Sequence, residues 1–298
     1  MRSIFSVLTF MLIASQARAQ ELRPAVKFVE HGTVQHRGTL ALVLASDTHP
    51  LRQALEAVRE EYGWVVDYED PSFHSEHDFL DITNPEWRAV HPGERGQRIL
   101  SGGAFHSEYA EPPNTATSVV EEEKVLNKIV ADYNQSGNPG KFRVVREPGG
   151  RFAVIGAFVK DDVGRDEYVN PVLDTLISIP IETRSAKETV YLILDQLSAK
   201  TGIKFGYIEW GNTLLRSRPT LGGENVSARS LLLQAIASVN RPLILELSYN
   251  PFAGVEYDLQ IRIASLAKTD SAGRRTTIPI DRLQYKLIYP QNAKPPGQ

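Results

Sequence analysis

One pattern occurs twice in this chain and limits its fold more than any other feature. A short apolar run suited to a strand leads into a helix that stops at a glycine, and a second strand ending in tyrosine follows. In the first copy, Thr39-Leu40-Ala41-Leu42-Val43-Leu44-Ala45 is the apolar run. Thr48 is placed to cap the next helix, and Pro50 falls in its first turn, where a missing N–H costs little. Leu51, Ala54, Leu55, Val58 and Tyr62 recur at helical spacing, and Gly63 is the stop. Residues 64–68 then read as a strand with Trp64, Val66 and Tyr68 on one face.

The second copy begins with Ile177-Ser178-Ile179-Pro180-Ile181, a strand that its proline assigns to an edge or a bulge. Ser185 and Glu188 spell a capping box, since each side chain can satisfy the other residue's backbone donor. Val190, Ile193, Leu194 and Leu197 form the buried stripe, Gly202 ends the helix, and residues 203–207 are the next strand. A shift of 139 residues places Ala54 on Ile193, Leu55 on Leu194, Val58 on Leu197, Gly63 on Gly202 and Tyr68 on Tyr207. A duplicated unit explains this better than chance.

Both halves continue alike. In the first, residues 98–109 are extended, and Ser118 with Glu121 makes a capping box. A helix carrying Val125, Leu126, Ile129, Val130 and Tyr133 closes at Gly137. Residues 142–146 and 152–158 make a hairpin across Pro148-Gly149-Gly150. In the second, residues 219–226 are extended, and Ser227 caps a helix with Leu231, Leu232, Ala235, Ile236 and Val239. Residues 243–247 and 257–263 pair across 250–254. The expected fold is α+β: two tandem β-α-β-β-α-β modules with an extra strand, each a small mixed sheet with two helices on one face.

The expected boundaries are a signal peptide at 1–19, an N-terminal arm at 20–37 and a first module at 38–160 with an insertion at 70–97. A linker at 161–171, a second module at 172–266, and a C-terminal strand and loose tail at 267–298 complete the chain. The leader reading rests on Arg2, the short apolar run 4–14 and the small-x-small pattern Ala17-Arg18-Ala19. Cleavage after Ala19 gives a periplasmic or extracellular protein, with no transmembrane segment expected in the mature chain. The chain has no Cys, and its formal net charge of -3 offers no broad basic surface, so nucleic acid is not an expected partner.

Residues 183–263 resemble the secretin and TonB short N-terminal domain. The resemblance is carried by Thr189-Val190-Tyr191-Leu192-Ile193-Leu194-Asp195-Gln196-Leu197-Ser198-Ala199-Lys200-Thr201-Gly202-Ile203-Lys204-Phe205-Gly206-Tyr207 and by the capped start Val226-Ser227-Ala228-Arg229-Ser230-Leu231-Leu232. The first half echoes it over residues 51–68 and then departs through its insertion. In that family the module precedes a pore or an outer-membrane barrel, and neither is expected from residues 264–298. The resemblance implies binding to an envelope protein, with no catalytic residues to carry over.

Residues that carry chemistry are few. His74, His77 and His91 lie in the insertion among Glu76, Asp78, Asp81 and Glu86, a donor set suited to zinc and to the alternative reading of a metal-assisted hydrolase. The bland reading, solvated loop histidines with no cofactor, is the expected one. No Gly-x-Ser-x-Gly and no dinucleotide or phosphate loop occurs, which points away from an enzyme, although a Ser-His-Asp set assembled from distant residues stays open. Tyr207, Trp210 and Trp87 are the candidate partner-binding residues, because Tyr and Trp are favoured at interface hot spots. The expected function is that of an exported, non-enzymatic binding protein of the bacterial envelope, acting through sheet edges.

Overall fold

The computed structural model describes residues 28–94, 96–113, 119–209, 212–250, 255–269, 271 and 275–280. The leader, Ser118, Trp210 and the expected terminal strand at 283–289 lie outside them. The fold is α+β. In the first half, β1 (Thr33–Arg37), β2 (Leu40–Ser46), α1 (Pro50–Tyr62) and β3 (Val66–Glu69) lead into the insertion, which holds β4 (Phe79–Asp81), α2 (Pro85–Val90) and β5 (Arg98–Leu100). Then follow β6 (Ala104–Ala110), α3 (Val119–Gln135), β7 (Lys141–Arg146), β8 (Phe152–Lys160) and β9 (Asp166–Tyr168). The second half is β10 (Leu176–Thr183), α4 (Ala186–Thr201), β11 (Phe205–Glu209), β12 (Thr220–Ser227), α5 (Ala228–Ala237), β13 (Leu243–Tyr249) and β14 (Tyr257–Ile263). A hairpin of β15 (Ser265–Thr269) and β16 (Arg275–Pro279) follows.

Local signals place the helices well. Ser185 and Glu188 form both bonds of the capping box, a device worth about 1 kcal/mol. Gly63 and Gly202 end α1 and α4 in the left-handed conformation at φ 71° and 76°, which a side chain would strain. Thr48 is not the cap of α1. The Asp47 carboxylate accepts the backbone N–H groups of Thr48 and His49, so His49 becomes the N-cap and offers no side-chain bond. Pro180 sits in β10, which among the described residues pairs only with β12 and has register breaks on either side of Ile179, as an edge-or-bulge proline requires.

The two halves use the same pairings. β2 pairs antiparallel with β6, and β10 with β12; β3 runs parallel to β8, and β11 to β14; β7 and β13 close antiparallel on β8 and β14. The expected single sheet per half is not what forms. Each half divides its strands between a small antiparallel sheet and a share of one larger sheet ordered β11-β14-β13-β3-β8-β7. The joint is the parallel contact of β13 with β3, with Glu246 beside Tyr68 and Leu247 beside Glu69.

That register fixes where the helices go, because neighbours across a sheet point to the same face. Tyr68 belongs to the core formed with α1 and α3, whereas Leu247 belongs to the core formed with α4 and α5. The two helix pairs therefore cover opposite faces of the shared sheet. Ala41, Val43 and Phe105 of the β1-β2-β6 sheet close the outer side of the first core, and Ile177 and Ile179 of the β10–β12 sheet close the second. Five layers result. Fully buried stripe residues such as Leu55 and Ile193 each contribute roughly 1.5–3 kcal/mol.

The N-terminal arm supplies β1, the linker supplies β9 against β8, and β15 crosses the expected end of the second module at 266. The insertion is rooted in the opposite half, where Phe73 packs on Tyr249 at 5.6 Å between ring centres. At its start Pro71 lies so close to Gly156 that a Cβ there would stand 2.4 Å from the Pro71 nitrogen.

The joint buries charge on both faces. On one, Arg59 of α1 pairs with Glu246 of β13, which also accepts from Arg262 at 3.0 Å. On the other, Arg229 of α5 pairs with Glu69 of β3, whose second oxygen accepts from the Leu173 N–H at 3.0 Å. Each half thus sends an arginine to a carboxylate of the other. Burial opposes ionisation of Glu246, but Arg59, Arg262 and Arg52 outweigh it and bring the carboxyl down to about 2. A depressed carboxyl supplies stability above its unfolded value, and this is lost as pH falls from the ordinary carboxylate range to about 2. Glu246→Leu strands the buried Arg59 guanidinium, Arg262 keeping Glu56 as a partner, and is expected to cost about 3–5 kcal/mol in urea unfolding, with part restored by adding Arg59→Met. An unchanged unfolding midpoint in the single variant would contradict the joint as described.

Candidate functional site

Three places in the fold bring chemistry-bearing side chains together: the buried joint, the insertion, and the free edge of the large sheet at β11.

At the joint, a second group of charges lies beneath Glu69. Arg151 pairs with Asp67 and donates to the Leu243 carbonyl at 2.9 Å, and Asp67 accepts the Leu245 N–H at 2.8 Å. Asp67 and Arg151 so fasten β3 to the first turn of β13. Glu147, in the turn between β7 and β8, stands 3.7 Å from Arg151 and 3.6 Å from Arg229. Burial, then the neighbouring Asp67 carboxylate, push Glu147 up to about 9 against the pull of both arginines.

The nearest approach to a catalytic relay is also at the joint. Thr48 Oγ1 lies 3.0 Å from His49 Nδ1, and His49 Nε2 lies 3.3 Å from Asp70 Oδ2. Yet Thr48 Oγ1 also donates to Asp47 at 2.9 Å, and His49 Nε2 bonds the Tyr249 carbonyl at 3.1 Å. Asp70 is taken by the Tyr68 hydroxyl and by the Tyr249 N–H at 2.9 Å. These bonds tie the start of α1 and the end of β3 to the last residue of β13. The arrangement is a tether between halves.

In the insertion the three candidate metal histidines are held apart. His74 bonds the Ser72 carbonyl at 3.2 Å and faces Glu167 at 3.3 Å; His77 bonds the Asp162 carbonyl at 3.3 Å; His91 bonds the Trp87 carbonyl at 3.0 Å. Among the described residues no group of three His, Asp or Glu side chains is placed to hold a metal ion. Trp87 lies on α2 with its ring stacked on His91 at 4.4 Å, 36% exposed. A shallow cleft beside it is lined by Glu76, Asp81, Arg88 and Arg98, which are already paired as Arg88–Asp81 and Arg98–Glu76.

The free edge carries the remaining candidate. Among the described residues β11 pairs only with β14, leaving its other side without a strand. Phe205 stacks on the buried Tyr257, whereas Tyr207 is half-buried and meets Tyr191 of α4 edge-on at 5.2 Å. Tyr191 is 47% exposed, and Ile208, on the opposite face of the strand, 43%. Trp210, the third aromatic candidate, lies outside the described residues. Among the described residues no helix is long and apolar enough to cross a membrane.

Comparison with known proteins decides nothing further. No family model, curated protein or solved structure matches this chain.

Sequence reasoning singled out Tyr207 and Trp87 but not Tyr191 of α4 or Ile208 of β11, which lie beside Tyr207. It also missed the joint. A signal existed: in Leu243-Ile244-Leu245-Glu246-Leu247 both alternating sets are apolar apart from one acid, the mark of a strand covered on both faces.

Glu147 supplies a test of the buried cluster. A carboxyl raised in the folded state gives stability that is fully present below its unfolded value and is lost as pH rises toward about 9. Glu147→Gln removes that loss. Melting temperatures taken from pH 5 to pH 9 are expected to fall less steeply in the variant, so that its relative stability rises with pH. Parallel curves would refute the assignment.

Proposed function

We propose that this protein is an exported, non-enzymatic binding protein of the bacterial cell envelope, which captures a partner segment along the β11 edge. The observation that carries this reading is a strand with one side that pairs with no strand among the described residues, flanked by exposed apolar side chains on both faces, Tyr191 above and Ile208 below. An edge of this kind presents unmet backbone donors and acceptors, and natural proteins blunt such edges unless they are used. Added strands gain affinity from main-chain bonds and selectivity from neighbouring side chains. The resemblance of residues 183–263 to the secretin and TonB short N-terminal domain agrees with an envelope partner, and the leader-like residues 1–19 agree with export. The engaged histidines and the closed His49 tether give a hydrolase reading no comparable support.

Ile208→Lys places a charge on the edge without disturbing a buried side chain. Immobilised protein is expected to retain a specific envelope protein from extract, and Ile208→Lys to reduce that retention about tenfold at unchanged melting temperature. Equal retention by both proteins would remove β11 from the interface. The absence of any specifically retained protein would overturn the function.

A further inference from the structure

The joint inside this chain is of a kind that can be repeated. Both halves show the order first-strand, middle, hairpin partner: β3-β8-β7 in one and β11-β14-β13 in the other. Following the parallel and antiparallel contacts along the sheet, β11 runs opposite to β3. The halves are therefore related by a half-turn about an axis lying in the sheet across its strands, combined with a shift along that axis. Such an operation does not close on itself. It consumes the β13 edge of one half and the β3 edge of the other, and it leaves their counterparts at the two ends of the sheet, β7 and β11.

Register shows what those ends would bring together. Phe205 pairs with Tyr257 as Val66 does with Phe152, so Tyr207 and Ile208 stand where Tyr68 and Glu69 stand. Glu246 pairs with Gln260 as Arg143 does with Ile155, so Arg143 and Val144 occupy the positions of Glu246 and Leu247. Repeating the joint between two molecules sets Arg143 beside Tyr207 and Val144 beside Ile208. The helix above it would be α4, whose Tyr191, Asp195 and Ser198 correspond to Arg52, Glu56 and Arg59 at the 139-residue shift.

The residues at these outer positions differ from those inside in a consistent way. Inside the chain, a strand carboxylate, Glu246, meets helix arginines. At the outer ends the positions of Arg52 and Arg59 hold Tyr191 and Ser198 and the acid of Glu56 is kept as Asp195, so that a strand arginine, Arg143, would meet a helix carboxylate and the ring of Tyr191. Arg143, Asp195 and Tyr191 are all exposed, while Glu246, the counterpart of Arg143, is buried. Val144 is half-buried and would cover the exposed Ile208.

We propose that the occupant of the β11 edge is strand β7 of a second copy of this chain, added in parallel, so that molecules associate head to tail and extend the shared sheet. This rests on the reading of β11 as a binding edge and names the partner.

Sedimentation velocity of the full chain over rising concentration tests it. Species larger than a dimer are expected to accumulate without reaching a closed size. Arg143→Glu and Asp195→Arg, both at exposed sites, are each expected to weaken association about tenfold or more. Mixing the two variants is expected to restore it, because each unlike contact then joins opposite charges while each like contact does not. A chain that stays monomeric at its highest soluble concentration, or association indifferent to both substitutions, overturns the proposal. Failure here together with Ile208-dependent capture of an envelope protein would leave the binding function standing and transfer the edge to that partner. Association without any captured envelope protein would do the reverse.

Discussion

The parallel contact between β3 and β13 is what the rest of the architecture depends on. Only two residue pairs are in register there, Glu246 with Tyr68 and Leu247 with Glu69. So short a ladder does not hold two halves together through backbone bonds alone. Side chains complete it: Asp67 and Asp70 accept from the N–H groups of Leu245 and Tyr249, and Arg151 reaches the Leu243 carbonyl. Arginines from helices on either face neutralise Glu246 and Glu69. Removing one member of such a pair leaves an uncompensated charge in the interior, so the pairs make the junction specific even where their net contribution to stability is small.

With helices on opposite faces, the middle of the large sheet is buried twice. β13 is buried along its whole length, as is β3. The same arrangement explains why acids occur in these buried strands. A strand residue on the face turned away from its own half's helices would normally be solvated. Here it lies beneath the other half's helix, and an arginine descends to meet it.

The recurring strand-helix-strand pattern was legible because it is local. Ser185 with Glu188 and the stops at Gly63 and Gly202 act within one turn of chain, and the structure contains all of them. The division of strands between sheets was not legible, because nothing local in β2 or β3 says which neighbouring strand will accept it. The Thr48 cap failed for a related reason: Asp47, one residue earlier, is the better acceptor for the same donors. At the candidate edge the aromatic Tyr207 stood out by residue type. Tyr191 and Ile208 did not, since neither residue type by itself signals exposure.

The joint also sets an order on assembly. Asp67 and the Leu245 N–H that it accepts are separated by 178 positions. During synthesis β3 is complete long before β13 exists, and its carboxylates have no covering helix until α5 arrives. Contacts of such span are slow to form because the intervening chain must first be closed into a loop. The nascent first half therefore passes through a stage with a bare, acid-lined strand edge, the time when a holding factor would have most to protect.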